Sequence, residues 1–511
     1  MTKKLGTLVS FIVLLLPMLA GLSVTANAAA TEEPTAKTVT VNLHKRVFEE
    51  GQMPEVMANT GEEMTFEGTA LKDVTFKAYD VTAQYNTLVK ATDSKEAINT
   101  IVKDTENATT ETQYVPAYAT QIGDKKVTDG EGLAPFTNLP IKKDGTFATY
   151  LFVETDSPTN VSQKATPIVL TMPIYKGETD ELNTNIHIYP KNERQSMLKK
   201  DLTEDAKRAL KATVNGTEIY NAEIGKPFGY AISALLPWNL ADKSHFDIVD
   251  TPDAGMAVDT TTIKVAGLTQ DTDYQIEKEA SGRGYKLVLK MNSEAVKELA
   301  GHRMTITYDA TLTEDAKIDT GINNEAKVET GTTTTPNEQV DPPVQGPEIF
   351  TGGKSFVKKD EKSGKALQGA TFKLAKVTKE TGTIIAYATL DNGNYSWSDS
   401  DKTGTLFTSN DKGEFAVTGL EYSDKLSSEE SYAMVEVKAP KNYVKLTKPF
   451  MFDVVKDETD ATKKVDDITN ILKGILPSTG GNGIYLFLAV GTILMAGALV
   501  WYRRTKVEAE I

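Results

Sequence analysis

The chain has 511 residues, no Cys, four His and a formal net charge of −15. The acidic balance argues against nucleic acid or anionic lipid as a partner, and the absence of Cys excludes disulfides, thiol catalysis and Cys-type zinc sites. The few His do not favour a His-based cluster, so we expect no cofactor and no metal. The length suggests about three domains.

Residues 1–28 have the features of a secretory signal peptide. Lys3-Lys4 precede an apolar run over residues 8–24, and Ala26-Asn27-Ala28 forms a small-residue exit. This pattern predicts cleavage after Ala28 and export of the mature chain. A membrane anchor at this end is the alternative, but the small-residue exit favours cleavage.

Short alternating segments rich in Val, Thr, Tyr and Phe dominate residues 29–473. Examples are Thr38–Leu43, Thr149–Val153, Thr305–Tyr308 and Ala433–Val437. Turn signals separate them, as at Lys143-Asp144-Gly145, Asp391-Asn392-Gly393 and Asp411-Lys412-Gly413. The spacing predicts an all-β chain of tandem sandwiches. Short helices are predicted at Glu204–Ala212 and Ser293–Ala300.

Two composition breaks divide the body of the chain. Thr332–Pro347 is rich in Thr, Pro and Gly and lacks apolar periodicity, which is typical of a linker. A softer break follows Asn192, where a charged helical stretch begins. We therefore predict domains at residues 29–192, 193–335 and 348–473, with a linker at 336–347.

The two outer domains each place a Glu within an apolar strand. Alternation puts Glu154 on one face with Tyr150 and Phe152, and Glu436 on one face with Tyr432 and Met434. If this face is solvated, each Glu is an ordinary surface residue. If it is the core, each Glu is buried and holds its proton, and a buried Glu needs a partner.

Candidate partners lie at the two ends of each outer domain. The first domain opens on Lys45 and closes on Asn192, and the last opens on Lys358 and closes on Asn470. A buried Lys loses its charge and becomes a nucleophile, and a protonated Glu can polarise the Asn carbonyl and pass a proton to departing ammonia. The pattern predicts a Lys–Asn amide bond between first and last strands.

These segments resemble the collagen-adhesin B-type immunoglobulin-like domains of Gram-positive surface proteins, whose Tyr-x-Leu-x-Glu-Thr-x-Ala-Pro-x-Gly-Tyr box carries the catalytic Glu. The resemblance implies that role for Glu154 and Glu436. The sequence departs from the box at Phe152, Ser157, Asn160 and Val161, and again at Met434, Val437 and Asn442. Because Asn192 adjoins Lys191, it stays open whether the first bond forms before or after assembly.

The middle domain lacks this box and resembles the A-type relative, in which an Asp assists. The resemblance implies Asp250 as the assisting group and Asn324 as the amide. Alternation places Lys200 with Leu198 and Leu202, which favours Lys200 over its neighbour Lys199. The alternative is that these are ordinary surface residues.

The C-terminus has three parts in order. Leu476-Pro477-Ser478-Thr479-Gly480 precedes an apolar stretch at residues 484–502 and a basic cluster at 503–506. The stretch is long enough to cross a bilayer as one transmembrane helix, with the basic end cytoplasmic. This order is similar to the Gram-positive cell-wall sorting signal, which implies that a sortase cleaves after Thr479. A permanent single-pass anchor is the alternative.

Residues 186–192 resemble the pilin motif Trp-x-x-x-Val-x-Val-Tyr-Pro-Lys of sortase-assembled pili, with Leu182 at the Trp position and an intact Tyr-Pro-Lys core ending at Lys191. The resemblance implies that Lys191 of one copy is joined to Thr479 of the next, which gives an open filament. The resemblance is to the major, shaft-forming pilin. It implies an extracellular structural protein of a Gram-positive cell wall, not an enzyme.

The implied partners are other copies of the chain, a pilus sortase and a housekeeping sortase, minor tip and basal pilins, peptidoglycan, and host surface ligands. The pilus would support adhesion and colonisation. The alternative is a wall-anchored adhesin or minor pilin that binds a host ligand. Such an adhesin should carry a binding domain, and the sequence contains no Asp-x-Ser-x-Ser metal-adhesion motif.

Overall fold

The computed structural model describes residues 36–54, 59–108, 115–161, 163–338, 340–400, 402, 404–456, 465–474 and 483–508. The predicted signal peptide and the pentapeptide Leu476–Gly480 lie outside the described residues. The chain divides into two compact units. The first extends through Gly352 and includes Asp391–Tyr395 and Thr418–Lys425, and the second comprises Gly353–Leu390, Ser396–Val417 and the chain from Leu426.

The N-terminal part of the first unit is a β-sandwich with two added helices. Its strands are β1 Thr38–His44, β2 Arg46–Glu49, β3 Thr69–Ala70, β4 Thr75–Asp80, β5 Thr120–Val127, β6 Leu133–Pro140, β7 Lys142–Lys143, β8 Thr146–Phe147, β9 Thr149–Asp156, β10 Ile168–Thr171, β11 Asn185–Ile188 and β12 Lys191–Arg194. The main sheets have the orders β11-β1-β6, β10-β9-β4-β5 and β12-β2-β3. Strand β1 therefore lies beside the C-terminal strand β11, and β2 beside β12, in parallel pairs.

Strand β9 is buried on both faces. Tyr150 and Phe152 face the sandwich core, whereas Leu151 and Val153 belong to a second apolar cluster. That cluster includes Ile101 of helix α2 (Ser94–Glu106), which follows helix α1 (Thr82–Leu88). These two helices are not among the elements predicted from the sequence, although an Asp93 cap that accepts the Glu96 N–H and buried positions at helical spacing mark α2.

The middle part of the first unit is a second sandwich. Its strands are β13 Leu198–Leu202, β14 Lys211–Val214, β15 Thr217–Asn221, β16 Phe228–Leu235, β17 His245–Pro252, β18 Met256–Val265, β19 Tyr274–Lys278, β20 Tyr285–Leu289, β21 Arg303–Leu312, β22 Asn324–Gly331, β23 Val344–Gln345 and β24 Ile349–Phe350. The sheet orders are β13-β16-β21-β18, β14-β15-β24 and β19-β20-β17-β22-β23. The predicted helices are present but shorter, as α3 Glu204–Leu210 and α4 Glu294–Lys297.

Part of the predicted linker is paired with this middle sandwich. Strand β23, within the linker, pairs with β22, and β24, just beyond the linker, pairs in parallel with β15. The main chain of the middle sandwich thus continues to Phe350, beyond the end predicted from composition. Short β-strands in a Pro-rich tract carry no alternation long enough to detect in the sequence.

The second unit contains most of a third sandwich and the C-terminal helix. The strands of this sandwich are β25 Gly352–Asp360, β26 Thr371–Thr378, β27 Ile384–Asp391, β28 Asn394–Ser398, β29 Leu406–Thr408, β30 Glu414–Leu420, β31 Glu430–Lys438, β32 Phe450–Phe452 and β33 Val465–Asn470. The sheet orders are β30-β25-β33 and β28-β27-β26-β31-β32, with β29 on β26. The prediction of an all-β fold with tandem sandwiches is confirmed.

Helix α5 (Gly483–Glu508) is the one long apolar helix of the described chain. Its segment Ile484–Lys506 has a mean hydropathy of 2.2 and none of it is buried. By length and composition the segment can cross a bilayer, as the sequence predicts.

Candidate functional site

The first of three buried clusters joins Lys45, Glu154 and Asn192. Nζ of Lys45 donates to Oε2 of Glu154 at 2.6 Å, and Nδ2 of Asn192 donates to Oε1 of the same carboxyl at 2.9 Å. The backbone N–H of Ala165 also donates to Oε2, at 3.0 Å. All three side chains are buried, and the lysine and the amide meet on one carboxyl group.

The third sandwich contains the same constellation. Nζ of Lys358 lies 3.4 Å from Oε1 of Glu436, and Nδ2 of Asn470 donates to Oε2 at 3.0 Å. The N–H of Leu446 donates to Oε2 at 2.7 Å, and the Val444 carbonyl accepts a second bond from the Asn470 amide at 2.6 Å. As in the first cluster, a downstream backbone N–H fixes the orientation of the carboxyl.

A glycine holds the backbone of each outer lysine. The N–H of Lys45 donates to the Gly132 carbonyl, and that of Lys358 to the Gly413 carbonyl, both at 2.7 Å. The glycines have φ of +74° and +78°, and a Cβ on either would lie 2.4 or 2.5 Å from the lysine carbonyl oxygen. Only glycine fits such a close approach at positive φ.

Burial also favours the neutral form of the lysines. It lowers the pKa of Lys45 and brings those of Lys200 and Lys358 down to about 8, against the opposing effect of the neighbouring carboxyl groups. Nζ of Lys45 lies 5.7 Å from the Phe76 ring centroid, and that of Lys358 lies 5.5 Å from the Phe372 centroid. A neutral, nucleophilic amine is therefore accessible near neutral pH.

The middle cluster has a different arrangement. Nζ of Lys200 donates to Oδ2 of Asp250 at 2.5 Å and to the Glu325 carbonyl at 3.3 Å. The amide of Asn324 donates not to the carboxyl but to the Tyr308 hydroxyl, at 3.2 Å, and this hydroxyl donates to Oδ2 of Asp250 at 2.6 Å. The four side chains are buried, and a tyrosine stands between the carboxyl and the amide.

Tyr308 is not among the site residues predicted from the sequence, although the pattern predicts a strand at Thr305–Tyr308. The signal was available, because alternation in β21 places Tyr308 on the buried face with Ile306. In all three clusters the Asn side-chain oxygen is buried and accepts no hydrogen bond from the described residues. These oxygens belong to Asn192, Asn324 and Asn470.

Residues of the predicted linker cover the middle cluster. The Gly346 N–H donates to the Asn324 carbonyl at 2.9 Å, and the Tyr230 hydroxyl donates to the Pro347 carbonyl at 3.3 Å. A Cβ at Gly346 would lie 2.9 Å from the Tyr230 ring and 3.6 Å from Cε of Lys200. This segment helps to keep water away from the lysine.

Lys191 opens strand β12 and is half-buried. Its Nζ lies 4.8 Å from the ring centroid of Phe66, which stacks on Tyr189 at 5.0 Å. The Tyr189 hydroxyl donates to the Met64 carbonyl at 2.9 Å and accepts its N–H at 2.8 Å. Burial lowers the pKa of Lys191. Sequence reasoning did not identify Phe66, which lies far from the motif along the chain.

The predicted acyl donor Thr479 and its neighbours Leu476, Pro477, Ser478 and Gly480 lie outside the described residues. Among the described residues there is no group of three or more His, Cys, Asp or Glu that could hold a metal ion.

Three family models match successive parts of the chain. The Gram-positive pilin subunit D1 N-terminal domain matches residues 36–193, a prealbumin-like fold domain matches 352–469, and the LPXTG cell wall anchor motif matches 473–510. The first model ends just beyond Lys191 and Asn192, and the second contains Lys358, Glu436 and all but the last residue of β33.

Characterised relatives are similar over most of their length. The type 2 fimbrial subunit of Actinomyces naeslundii is 26% identical over 407 residues, covering 72% of this chain and 70% of the relative. The type 1 fimbrial subunit of Actinomyces viscosus is 25% identical over 427 residues, covering 74% and 75%. The full-length RrgB pilus protein of Streptococcus pneumoniae aligns with a TM-score of 0.49 and 16% identity, over 87% of this chain and 99% of that structure.

The pilin domain, the prealbumin-like domain and the anchor follow one another on a single chain, and the relatives are fimbrial subunits. The LPXTG anchor places the protein outside the cell, at the cell wall or in a pilus of a Gram-positive bacterium. Together these matches support a sortase-assembled pilin of Gram-positive bacteria.

Proposed function

We propose that the chain is the shaft subunit of a covalent pilus, in which Lys191 of one copy is joined to Thr479 of the next. The observation that carries this proposal is the presence of both groups on one chain, an amine in an intact Tyr-Pro-Lys motif and an acyl donor in a sorting signal. A chain with one donor and one acceptor at different places can polymerise head to tail, and it gives an open filament when successive contacts do not close into a ring.

The linkage is a transfer of one acyl group. The thiol of a pilus sortase attacks the Thr479 carbonyl, and the Thr479–Gly480 bond breaks to leave a thioester. The Lys191 amine then attacks the same carbon, so that a C–N bond forms, the C–S bond breaks and the thiol recovers its proton. A housekeeping sortase would pass the last subunit to peptidoglycan. Minor tip and basal pilins would occupy the ends, and host surface ligands would meet the finished pilus.

Three internal amide bonds would brace each subunit, Lys45–Asn192, Lys200–Asn324 and Lys358–Asn470. Glu154, Asp250 and Glu436 would assist them. The lysine amine attacks the Asn side-chain carbon, a C–N bond forms, and the original amide nitrogen leaves as ammonia after receiving a proton through the carboxyl. Support comes from the burial of each set, the lowered lysine pKa values and the carboxyl contacts of 2.5–3.4 Å.

The bonds would follow the domain plan predicted from the sequence, with one in each of residues 29–192, 193–335 and 348–473. Each would connect the start of its domain to the end. A chain without Cys has no disulfides to resist pulling, and an amide closes a comparable loop but cannot be reduced. A subunit in a pulled filament would then transmit force through covalent bonds.

An immunoblot of cell-wall extract tests polymerisation. We expect a ladder of covalent multimers from wild type. The control Lys199→Ala removes an exposed lysine that forms an ion pair with Glu50, and it should give the same ladder. Lys191→Ala should give one wall-linked monomer, because its sorting signal is intact. A ladder from Lys191→Ala would refute this acceptor, and a monomer from wild type would favour the wall-anchored adhesin.

A further inference from the structure

The middle cluster differs from the outer two in the length of its acidic side chain. In the outer clusters, Glu154 and Glu436 each accept a hydrogen bond directly from the Asn side-chain amide, at 2.9 and 3.0 Å. Asp250 is one methylene shorter than Glu. Its carboxyl contacts Lys200, but the amide of Asn324 donates to the Tyr308 hydroxyl instead.

Tyr308 fills the gap that the shorter acid leaves. Its hydroxyl donates to Oδ2 of Asp250 at 2.6 Å and accepts from Nδ2 of Asn324 at 3.2 Å. Oδ2 of Asp250 is also the atom that Nζ of Lys200 contacts. A continuous chain of hydrogen bonds therefore runs from the attacking amine, through the carboxyl and the phenol, to the nitrogen that must leave.

We propose that Tyr308 is a catalytic residue of the middle domain, whose hydroxyl relays a proton from Asp250 to the departing amide nitrogen of Asn324. This inference rests on the proposed Lys200–Asn324 bond. Burial raises the pKa of Tyr308 well above its usual value, with the Asp250 charge adding to the effect. The phenol therefore keeps its proton and remains a donor.

The relay moves one proton from the attacking amine to the departing nitrogen. The neutral Lys200 amine attacks Cγ of Asn324, the new C–N bond forms, and a proton from the amine passes to Asp250. Asp250 passes a proton to the Tyr308 oxygen as the phenol gives its own proton to Nδ2. The C–Nδ2 bond breaks, ammonia leaves, and the phenol ends as it began.

The test measures how fast the branched Lys200–Asn324 peptide forms, by mass spectrometry of digests of the whole exported chain. Tyr308→Phe keeps the ring and removes only the hydroxyl, so formation of the branched peptide should slow by roughly 10²-fold or more. The Lys358–Asn470 peptide of the same sample should form at the wild-type rate. It reports that the variant chain has been made and folded elsewhere.

Tyr285→Phe is the matched control. Tyr285 is also fully buried, its ring lies 5.2 Å from that of Tyr308, and its hydroxyl has no hydrogen-bond partner among the described residues. We expect this variant to form the branched peptide at the wild-type rate. Near-ultraviolet circular dichroism should show native aromatic packing for both variants.

Other results would overturn the assignment. Formation of the peptide at the wild-type rate in Tyr308→Phe would show that the hydroxyl takes no part. Equal loss in Tyr308→Phe and Tyr285→Phe would attribute the effect to packing and also reject the relay. Absence of the peptide from the wild-type chain would instead count against the Lys200–Asn324 bond itself, whatever the variants do.

Discussion

Asn470 pairs across parallel strands with Asp360, two residues beyond Lys358 on strand β25. The same offset recurs in the first sandwich, where Asn192 pairs with Val47, two residues beyond Lys45. A lysine side chain is long enough to reach forward over this offset. Because the paired strands lie near the two ends of each sandwich sequence, a bond here would close almost the whole domain into one loop.

The first prediction concerns mass. The mature wild-type chain should be lighter than its sequence mass by one ammonia for each internal amide, hence by three in total. Lys358→Ala should recover one ammonia and leave the other two losses intact. Intact-mass spectrometry decides the matter, and a wild-type chain at full sequence mass would rule out all three bonds.

The second prediction concerns stability. Glu436→Ala should leave the third sandwich folded but unlinked, because the amine loses the group that moves its proton. Losing closure of a loop on the order of 100 residues should lower the free energy of unfolding by about 4–5 kcal/mol. Thermal melting and proteolysis measure the effect, with the exposed Glu429→Ala as control. A Glu436→Ala chain that keeps both the mass loss and the wild-type melting temperature would contradict the assigned role.

A third prediction uses the glycine beside Lys358. Gly413→Ala places a Cβ about 2.5 Å from the Lys358 carbonyl oxygen, which should displace this strand and leave part of the chains unlinked. Gly364→Ala is the control, since φ there is also positive, +67°, but nothing lies within 4 Å. The control should cost about 1–2 kcal/mol for backbone strain alone. Equal crosslinking and equal melting of the two variants would remove the steric argument.

The fourth prediction is that the stability of the first sandwich depends on pH through His44. His44 contacts His187 between Nε2 and Nδ1 at 2.8 Å, and burial, followed by the charges of His187 and Arg46, lowers the pKa of His44 below 6.5. The unfolded chain therefore binds a proton at His44 more readily than the folded chain does. The contribution of neutral His44 to the free energy of unfolding is complete above pH 6.5 and is lost as the pH falls through the folded pKa.

Melting curves between about pH 7 and pH 5 measure this dependence. His44→Phe should melt with a weaker pH dependence than wild type. The exposed His302→Gln should keep the wild-type slope. An unchanged slope in His44→Phe would show that another group is responsible.

How far the sequence predicts the structure depends on whether local pattern or tertiary contact decides. Alternation around Glu154 and Glu436 correctly predicts two strands and the residues that share a face, and the structure shows that these faces are buried. It does not predict that α2 packs on the second face of β9, because the sequence shows that Leu151 and Val153 are apolar but not whether they face solvent or a helix. The Tyr308 bridge depends on the distance between two facing sheets, which no spacing along one strand records.

The central claim is that one copy is joined through Lys191 to Thr479 of another, and the junction peptide tests it most directly. Purified pili would be digested and the branched peptides sequenced by tandem mass spectrometry. We predict a peptide in which the Thr479 carboxyl forms an amide with the Lys191 side chain. A junction that joins Thr479 to any other lysine of the chain, with Lys191 recovered unmodified, would contradict the account.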